Sequence, residues 1–266
     1  MAYKLIASDM DGTLLNNSGE ITQETLKAIE LATSKGVLFC ISTGRPIQGI
    51  EYYQRILNNS SPVICYNGAM IVRLDTKEVL HSVALEYDDA KKIIDLGRKY
   101  KVTMCIWAQN KPYTNEFNEK TMHYSQLTHS ELILLTNEDE ILKSGVTKIL
   151  WYDDAELLKK LQREIPNNLF NQVTFCTSQP YLLEFFNSKV SKAKAMEIIG
   201  EIYNIQREEM IAIGDGYNDL AMIKYAGLGV AMKNAPLDVQ KEADYVTDTN
   251  ENNGVAKVIE KFILID

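Results

Sequence analysis

The chain has 266 residues, of which 45% are apolar and 24% are charged, an ordinary composition for a soluble globular protein. Its formal net charge is -8, from 28 basic and 36 acidic residues, and without a basic block it is not expected to bind duplex nucleic acid or anionic membranes. No apolar stretch has the length of a membrane span, and Asp9 and Asp11 interrupt the first apolar run too early for a signal peptide.

Strand and helix patterns alternate from the start of the chain. A short apolar run over 3–7 predicts a buried strand, and residues 22–35 predict a helix capped by Thr22. Buried strands over 37–41 and 63–66 follow, with a helix between them. This alternation predicts a parallel sheet with helices on both faces.

The middle of the chain has a different sequence pattern. Helix patterns alternate with strand-like runs, and aromatic residues are frequent. Helices are predicted over 89–101 and 154–165. Strands are predicted over 102–107, 146–152, 171–177 and 181–186. We interpret residues 84–187 as an inserted α+β cap domain, and we expect it to close as a lid over the catalytic core.

The end of the chain returns to the first pattern. A strand is predicted over 210–213 and a helix over 218–226. Short strands over 229–232 and 245–247 precede a last amphipathic helix. The predicted fold class is therefore α/β: residues 1–83 and 188–266 form a Rossmann-like, doubly wound parallel-sheet core that carries the insertion.

The four cysteines lie in apolar surroundings and form no C-x-x-C pair. They are Cys40, Cys65, Cys105 and Cys176. Buried, reduced thiols of a cytoplasmic protein account for them better than disulfides or a zinc site.

Two acidic segments directly follow predicted strands. Asp9 and Asp11 come after the first strand, and Asp215 and Asp219 come after the strand at 210–213. Because ligands bind at the carboxyl ends of strands in an open α/β sheet, these segments are expected to meet. Such a carboxylate cluster needs a cation, and all-oxygen ligands near phosphate favour Mg²⁺.

Two further features supply what a phosphate group requires. Thr43 and Gly44 follow the second predicted strand, where a hydroxyl and backbone amides suit phosphate oxygens. Lys192 begins a predicted helix and offers the positive charge that an acidic cluster and a phosphate both need. Taken alone, the first feature is typical of a turn and the second of a solvated surface charge.

These residues, in this order, resemble the haloacid dehalogenase superfamily along the whole chain. Asp9 to Leu14 resembles its first motif, Thr43 its second, Lys192 its third, and Asp215 to Asp219 its fourth. The triplets at 43–45 and 67–69 and the segment 214–219 resemble the Cof-type branch, which places its cap between the second and third motifs. Ala193 departs from the glycine common after the lysine and leaves the side-chain roles filled.

The resemblance implies a Mg²⁺-dependent phosphatase that acts on small phosphorylated metabolites such as sugar phosphates. Asp9 is implied as the nucleophile that becomes phosphorylated, and Asp11 as the general acid and base. The carboxylates of Asp9 and Asp215 and the backbone carbonyl of Asp11 are implied as metal ligands.

The resemblance also implies a set of phosphate-binding residues. They are Met10 and Gly44 through their backbone amides, and Thr43, Lys192 and Asn218 through their side chains. Asp219 is implied as a residue that orients Lys192 or a metal-bound water. Arg45 and Asn67 are candidate substrate contacts, although an ion pair for Arg45 and a turn for Asn67 are equally good interpretations.

Two alternatives remain open at this point. A phosphomutase on the same scaffold would return the phosphoryl group from Asp9 to the substrate. A non-catalytic regulatory binding protein is less well supported, because Asp9, Asp11 and Lys192 are all present. The substrate itself and the oligomeric state do not follow from the sequence.

Overall fold

A computed structural model describes residues 2–58, 60–166 and 169–264. Its strands are, in chain order, β1 (Leu5–Ser8), β2 (Leu38–Ile41), β3 (Val63–Cys65), β4 (Met70–Arg73), β5 (Glu78–Ser82), β6 (Thr103–Ala108), β7 (Lys111–Thr114), β8 (Ile133–Leu134), β9 (Val146–Tyr152), β10 (Val173–Gln179), β11 (Leu182–Asn187), β12 (Met210–Gly214), β13 (Leu228–Ala231) and β14 (Tyr245–Val246). Its helices are α1 (Gln23–Ser34), α2 (Glu51–Leu57), α3 (Tyr87–Tyr100), α4 (Glu119–Thr128), α5 (Glu138–Lys143), α6 (Ala155–Glu164), α7 (Lys192–Tyr203), α8 (Leu220–Tyr225), α9 (Leu237–Lys241) and α10 (Gly254–Phe262).

Contacts within the chain divide it into two compact units. The core unit comprises the residues up to Gly44, Ile50–His81 and the residues from Ser191 onward. The insert unit comprises Arg45–Gly49 and Ser82–Val190. The loop after β2 therefore belongs to the core unit as far as Gly44, and the following five residues group with the insert unit.

The core unit is built on a parallel sheet with the strand order β14-β13-β12-β1-β2. Ser8 at the end of β1 is in register with Ile213 on one side and Ile41 on the other. A parallel bridge between Ser42 and Ile64 places β3 next to the end of β2. Strands β1, β2 and β12 consequently end at one level, so the loops that follow them share one edge of the sheet.

Apolar residues on both sides of these short strands explain why they are buried. Leu5 and Ala7 of β1 pack with Ala195 and Met196 of α7, and all four side chains are at most 1% exposed. Ile6, on the opposite face of β1, is also fully buried. Helices covering both faces of a parallel sheet produce this continuous apolar pattern, and the predicted α/β fold class is confirmed.

The insert unit has its own six-stranded sheet, ordered β10-β11-β9-β6-β7-β8 and mostly antiparallel. Alternate residues such as Ile106, Trp151 and Phe185 form its apolar core with residues of α3, α5 and α6. Trp107 lies on the opposite face and donates a hydrogen bond to the hydroxyl of Tyr124 in α4, at 2.8 Å. The unit is thus an α+β structure with a separate core.

Burial separates the four cysteines into two groups. Cys40, Cys65 and Cys105 are free and buried as predicted. Cys176 is free but partly exposed, so that prediction was wrong for it, because β10 is an edge strand of the insert sheet. Among the residues that the structure describes, no helix is both long enough and apolar enough to span a membrane.

Candidate active site

Three polar segments meet at the carboxyl edge of the core sheet. Asp9 directly follows β1, Thr43 follows β2, and the segment from Asp215 to Asp219 follows β12. The parallel register of the three strands explains this gathering, because equal strand ends bring their loops together. Asp9 itself is 6% exposed and Thr43 is 1% exposed.

Lys192 forms the centre of this cluster. Its ammonium nitrogen Nζ lies 2.5 Å from Oδ1 of Asp9 and 2.6 Å from Oδ1 of Asp219. All three side chains are almost completely buried. A buried lysine of this kind is tolerated because two carboxylates satisfy its charge, so the surface-charge interpretation of Lys192 is wrong.

The start of α7 holds Lys192 in place. Ser191 is the N-cap of the helix, and its hydroxyl accepts a hydrogen bond from the backbone N–H of Lys194. Gly68 lies against the carbonyl of Ser191, where a Cβ atom would stand only 2.3 Å from that oxygen. Gly68 also has a φ of +106°, so a residue with a side chain is excluded on two grounds.

Asp219 uses both of its carboxylate oxygens within the protein. Oδ1 accepts from Lys192, and Oδ2 accepts from the backbone N–H groups of Asp215 and Gly216 at 3.0 and 2.8 Å. The carboxylate thereby fixes the loop after β12 and orients Lys192. Asp219 thus accepts three hydrogen bonds from within the protein.

Asp215 is held by hydrogen-bond donors from two different loops. The hydroxyl of Thr13 donates to Oδ1 at 2.8 Å, and the amide of Asn234 lies 3.5 Å from Oδ2. Gly12, with a φ of +79°, leaves the space for this approach, because a Cβ there would stand 2.4 Å from Oδ2. The acidic segments after β1 and β12, which the sequence predicts to meet, are therefore in direct contact.

The charged groups in this cluster shift one another's pKa values. Burial raises the pKa of Asp9 well above its usual range, the charge of Asp219 raises it further, and Lys192 opposes the rise. Burial likewise raises the pKa of Asp215, while the hydrogen bond from Thr13 acts in the opposite direction. For Lys192, burial favours the neutral amine, but the two carboxylates outweigh burial and raise its pKa.

The donor set fits a hard divalent cation. Carboxylate oxygens of Asp9, Asp215 and Asp219 lie within 4.8 Å of one another. Asp219 already accepts three hydrogen bonds of 2.6–3.0 Å, so Asp9 and Asp215 are the better candidates for the side-chain ligands of such an ion. Three carboxylates facing a single lysine leave an excess of negative charge that a cation would offset, and oxygen ligands are those that Mg²⁺ prefers.

A second group of predicted residues forms one wall of the site. The amide of Asn218 donates to Oδ1 of Asn67 at 3.2 Å. Gly44 lies against Asn67: a Cβ at Gly44 would be 3.1 Å from Oδ1, so Asn67 would have to shift by a few tenths of an ångström to admit it. Tyr66 and Asn67 both have positive φ, at +52° and +57°, a conformation that non-glycine residues adopt at a cost.

The remaining predicted residues occupy different environments. The side chain of Asp11 is exposed, whereas that of Met10 is fully buried. The backbone of Thr43 donates to Ile64 and accepts from Asn67. Arg45 is partly exposed and donates to the carbonyl of Gly49 at 3.2 Å.

Two residues of the site, Thr13 and Asn234, were not predicted from the sequence. Thr13 lies in the same loop as the two aspartates, although its contact with Asp215 spans 202 positions of the chain. Asn234 follows the predicted strand at 229–232, as Thr43 follows its own strand. A polar residue after a parallel strand was therefore an available signal for both.

Comparison with known proteins identifies the family. The family of haloacid dehalogenase-like hydrolases matches residues 6–259. The chain belongs to this family. The 5-amino-6-(5-phospho-D-ribitylamino)uracil phosphatase YcsE of Bacillus subtilis (strain 168) is 36% identical over 265 residues, which cover 98% of this chain and 96% of YcsE.

Solved structures of this family superimpose closely. A haloacid dehalogenase-like hydrolase from Bacteroides thetaiotaomicron has a TM-score of 0.87 and 31% identity, covering 97% of this chain and 99% of that one. The subclass IIB sugar phosphatase BT4131 has a TM-score of 0.82 and 27% identity, covering 97% and 98%. The predicted superfamily and enzyme class are confirmed: the chain is a phosphatase of the haloacid dehalogenase family.

Proposed function

We propose that this phosphatase hydrolyses sugar phosphates and similar small phosphorylated metabolites, with Mg²⁺ as its cofactor and Asp9 as its nucleophile. The observation that carries the proposal is the arrangement around Asp9. Its buried carboxylate, at the end of β1, shares Lys192 with Asp219 and lies beside Asp215. A buried carboxylate with a cation on one oxygen is restrained in orientation, as an attacking group must be.

The proposed reaction has two covalent steps. In the first, an oxygen of Asp9 attacks phosphorus, the bond from phosphorus to the alcohol oxygen breaks, and Asp11 protonates the departing alcohol. In the second, Asp11 takes a proton from water, the water oxygen attacks phosphorus, and inorganic phosphate leaves Asp9. The enzyme returns to its starting state without an oxidant or reductant.

The other residues stabilise the negative charges in the site and position the phosphoryl group. Lys192 favours the ionised form of Asp9 and offers its ammonium group to a phosphoryl oxygen. Asp9, Asp215 and the carbonyl of Asp11 would hold Mg²⁺, which when bound neutralises the negative charge of the phosphoryl group and carboxylates. Thr43, Asn218 and the amides of Met10 and Gly44 are proposed to bind the phosphoryl oxygens. The loose transition state of phosphoryl transfer makes such positioning the main source of acceleration.

The substrate class is supported by the relatives. BT4131 is named a sugar phosphatase and YcsE acts on a phosphorylated ribityl compound. Both names describe a phosphate ester on a small polyhydroxy chain. We extend that class, rather than either compound, to this chain, with Asn67 and Arg45 as candidate substrate contacts. We further propose a cytoplasmic enzyme in which residues 84–187 act as a cap domain.

The test is a phosphate-release assay with purified protein and Mg²⁺. The panel contains sugar monophosphates, 5-amino-6-(5-phospho-D-ribitylamino)uracil and a phosphopeptide, without any bisphosphate. We expect release from small esters, little from the phosphopeptide, loss of activity in chelator and its recovery with Mg²⁺. Asp9→Asn should be folded and inactive. No phosphate release in this panel, together with conversion of a sugar phosphate into its isomer once the corresponding bisphosphate is added, would instead identify a phosphomutase.

A further inference from the structure

Asn234 connects the two loops that carry the proposed metal carboxylates. It lies after β13, the strand next to β12 in the sheet. Its amide nitrogen Nδ2 donates to the carbonyl of Gly12 at 2.8 Å and lies 3.5 Å from Oδ2 of Asp215. One exposed side chain thus touches the loop after β1 and the carboxylate after β12.

The orientation of this amide is set by its surroundings. Its oxygen Oδ1 accepts a hydrogen bond from the backbone N–H of Asn250 at 3.1 Å. A carbonyl at Gly12 requires a donor, and an N–H at Asn250 requires an acceptor, so the reversed amide would lose both contacts. The NH₂ group therefore faces Asp215.

Asn250 extends the connection to the far end of the first loop. Its side-chain amide donates to the carbonyl of Leu15 at 3.0 Å and to Oδ1 of Asn17 at 3.2 Å. Asn250 is 8% exposed. The loop after β1 is consequently held at Gly12 through Asn234 and at Leu15 through Asn250.

Thr13 completes the arrangement on the other side of the carboxylate. Thr13 is 2% exposed, and its hydroxyl donates to Oδ1 of Asp215 at 2.8 Å. Asp215 thus has a donor on each oxygen, Thr13 on one and Asn234 on the other. A carboxylate restrained in this way cannot rotate freely, which lowers the entropy lost when it binds a cation.

We propose that Asn234 is a positioning residue that sets the orientation of the Asp215 carboxylate and thereby the affinity of the site for Mg²⁺. The inference rests on the proposed function, since it assumes that Asp215 is a metal ligand. Residues that orient metal ligands typically change affinity by about 10–100-fold when they are removed. We expect that range for Asn234→Ala.

The experiment measures Mg²⁺ binding by calorimetry on the full-length protein without substrate, so that the readout is independent of turnover. The variants are Asn234→Ala, Asn234→Leu and the control Asn252→Ala. Asn252 is an exposed asparagine that donates to Thr249 within its own turn, at 2.8 Å. Thermal unfolding in chelator shows whether each variant is folded.

Positioning by a donor predicts a definite order of affinities. Asn234→Ala should weaken Mg²⁺ binding about 10–100-fold, and Asn252→Ala should leave it unchanged. Asn234→Leu should bind about as weakly as the alanine variant, because leucine keeps the approximate size of the amide and lacks its donor. Unchanged affinity in a folded Asn234→Ala would overturn the inference. Wild-type affinity in Asn234→Leu would also overturn it, since the size of the side chain rather than its donor would then be what matters.

The design separates this inference from the proposed function. If the wild-type protein binds Mg²⁺ and releases phosphate while Asn234→Ala does both equally well, only the role of Asn234 is wrong. If the wild-type protein does not bind Mg²⁺, the proposed cofactor is wrong and the role of Asn234 falls with it.

Discussion

Replacing Lys192 by methionine tests whether its charge holds the buried carboxylates together. Methionine has a similar length and no charge, so the variant removes the cation and leaves Asp9 and Asp219 facing each other. Their oxygens lie within 4.8 Å. At an effective dielectric constant of about 20, two unit charges at that distance repel by roughly 3.5 kcal/mol. Removing one partner of a buried ion pair typically costs about 3–5 kcal/mol, so we expect a loss near 3.5 kcal/mol in the free energy of unfolding.

The loss should depend on pH in a defined direction. Burial already raises the pKa of Asp9 in the folded protein above its unfolded value of about 3.9. The folded state therefore binds the proton more tightly, and stability falls as pH rises through this interval. Without Lys192 to oppose it, this fall should be steeper. The destabilisation should be large near pH 8 and small near pH 5.

The assay is urea unfolding in chelator at about pH 5 and about pH 8, followed by circular dichroism. Lys194→Met is the matched control, because Lys194 lies in the same helix turn, is exposed and pairs with Glu197 at 2.6 Å. We expect no measurable change for that exposed pair. A loss below about 1 kcal/mol for Lys192→Met at the higher pH, or an equal loss at both values, would refute the electrostatic argument.

Three other changes test the geometry of the site. Asp11→Asn should slow turnover of alkyl phosphates by roughly 10²–10⁴-fold, with a smaller loss of the first step for p-nitrophenyl phosphate in single-turnover assays; equal losses would exclude Asp11 as the acid. Gly12→Ala should weaken Mg²⁺ binding in calorimetry, because its Cβ would displace Asp215; unchanged affinity would contradict that contact. Gly68→Ala should lower stability by roughly 1–3 kcal/mol in urea unfolding and reduce activity, since it meets Ser191. Gly36→Ala is the control for both glycine variants, because Gly36 has a φ of +86° with nothing within 4 Å. A Gly36→Ala variant that loses as much Mg²⁺ affinity as Gly12→Ala, or as much stability as Gly68→Ala, would show that backbone strain alone accounts for the loss.

The strands of the core were predictable because their apolar runs are too short for a buried helix and end abruptly in polar residues. β1, β2 and β12 appear within a residue or two of their expected ends. The parallel arrangement then brings Asp9 and Asp215 together without any knowledge of side-chain contacts. Helices α3 and α6 of the insert unit were also expected, because their apolar residues recur with a helical period.

Other elements depend on contacts that a local pattern does not contain. Helix α4 has no strong apolar periodicity, and it is defined by the capping box of Asn118 and Thr121 and by the hydrogen bond from Trp107 to Tyr124. The role of Asn234 depends on Gly12, which lies 222 positions away. Such long-range hydrogen bonds arise only from the assembled sheet edge.

The proposed mechanism requires Asp9 to carry the phosphoryl group during hydrolysis. Acid quenching during turnover of a good substrate traps an acyl phosphate, and borohydride then reduces its carbonyl carbon, so that an aspartate becomes homoserine. Mass spectrometry of the peptides that contain residues 9, 11 and 215 should find homoserine at Asp9. It should appear only when both Mg²⁺ and substrate are present. Turnover without homoserine at Asp9, or homoserine at Asp11 or Asp215 instead, would contradict the account.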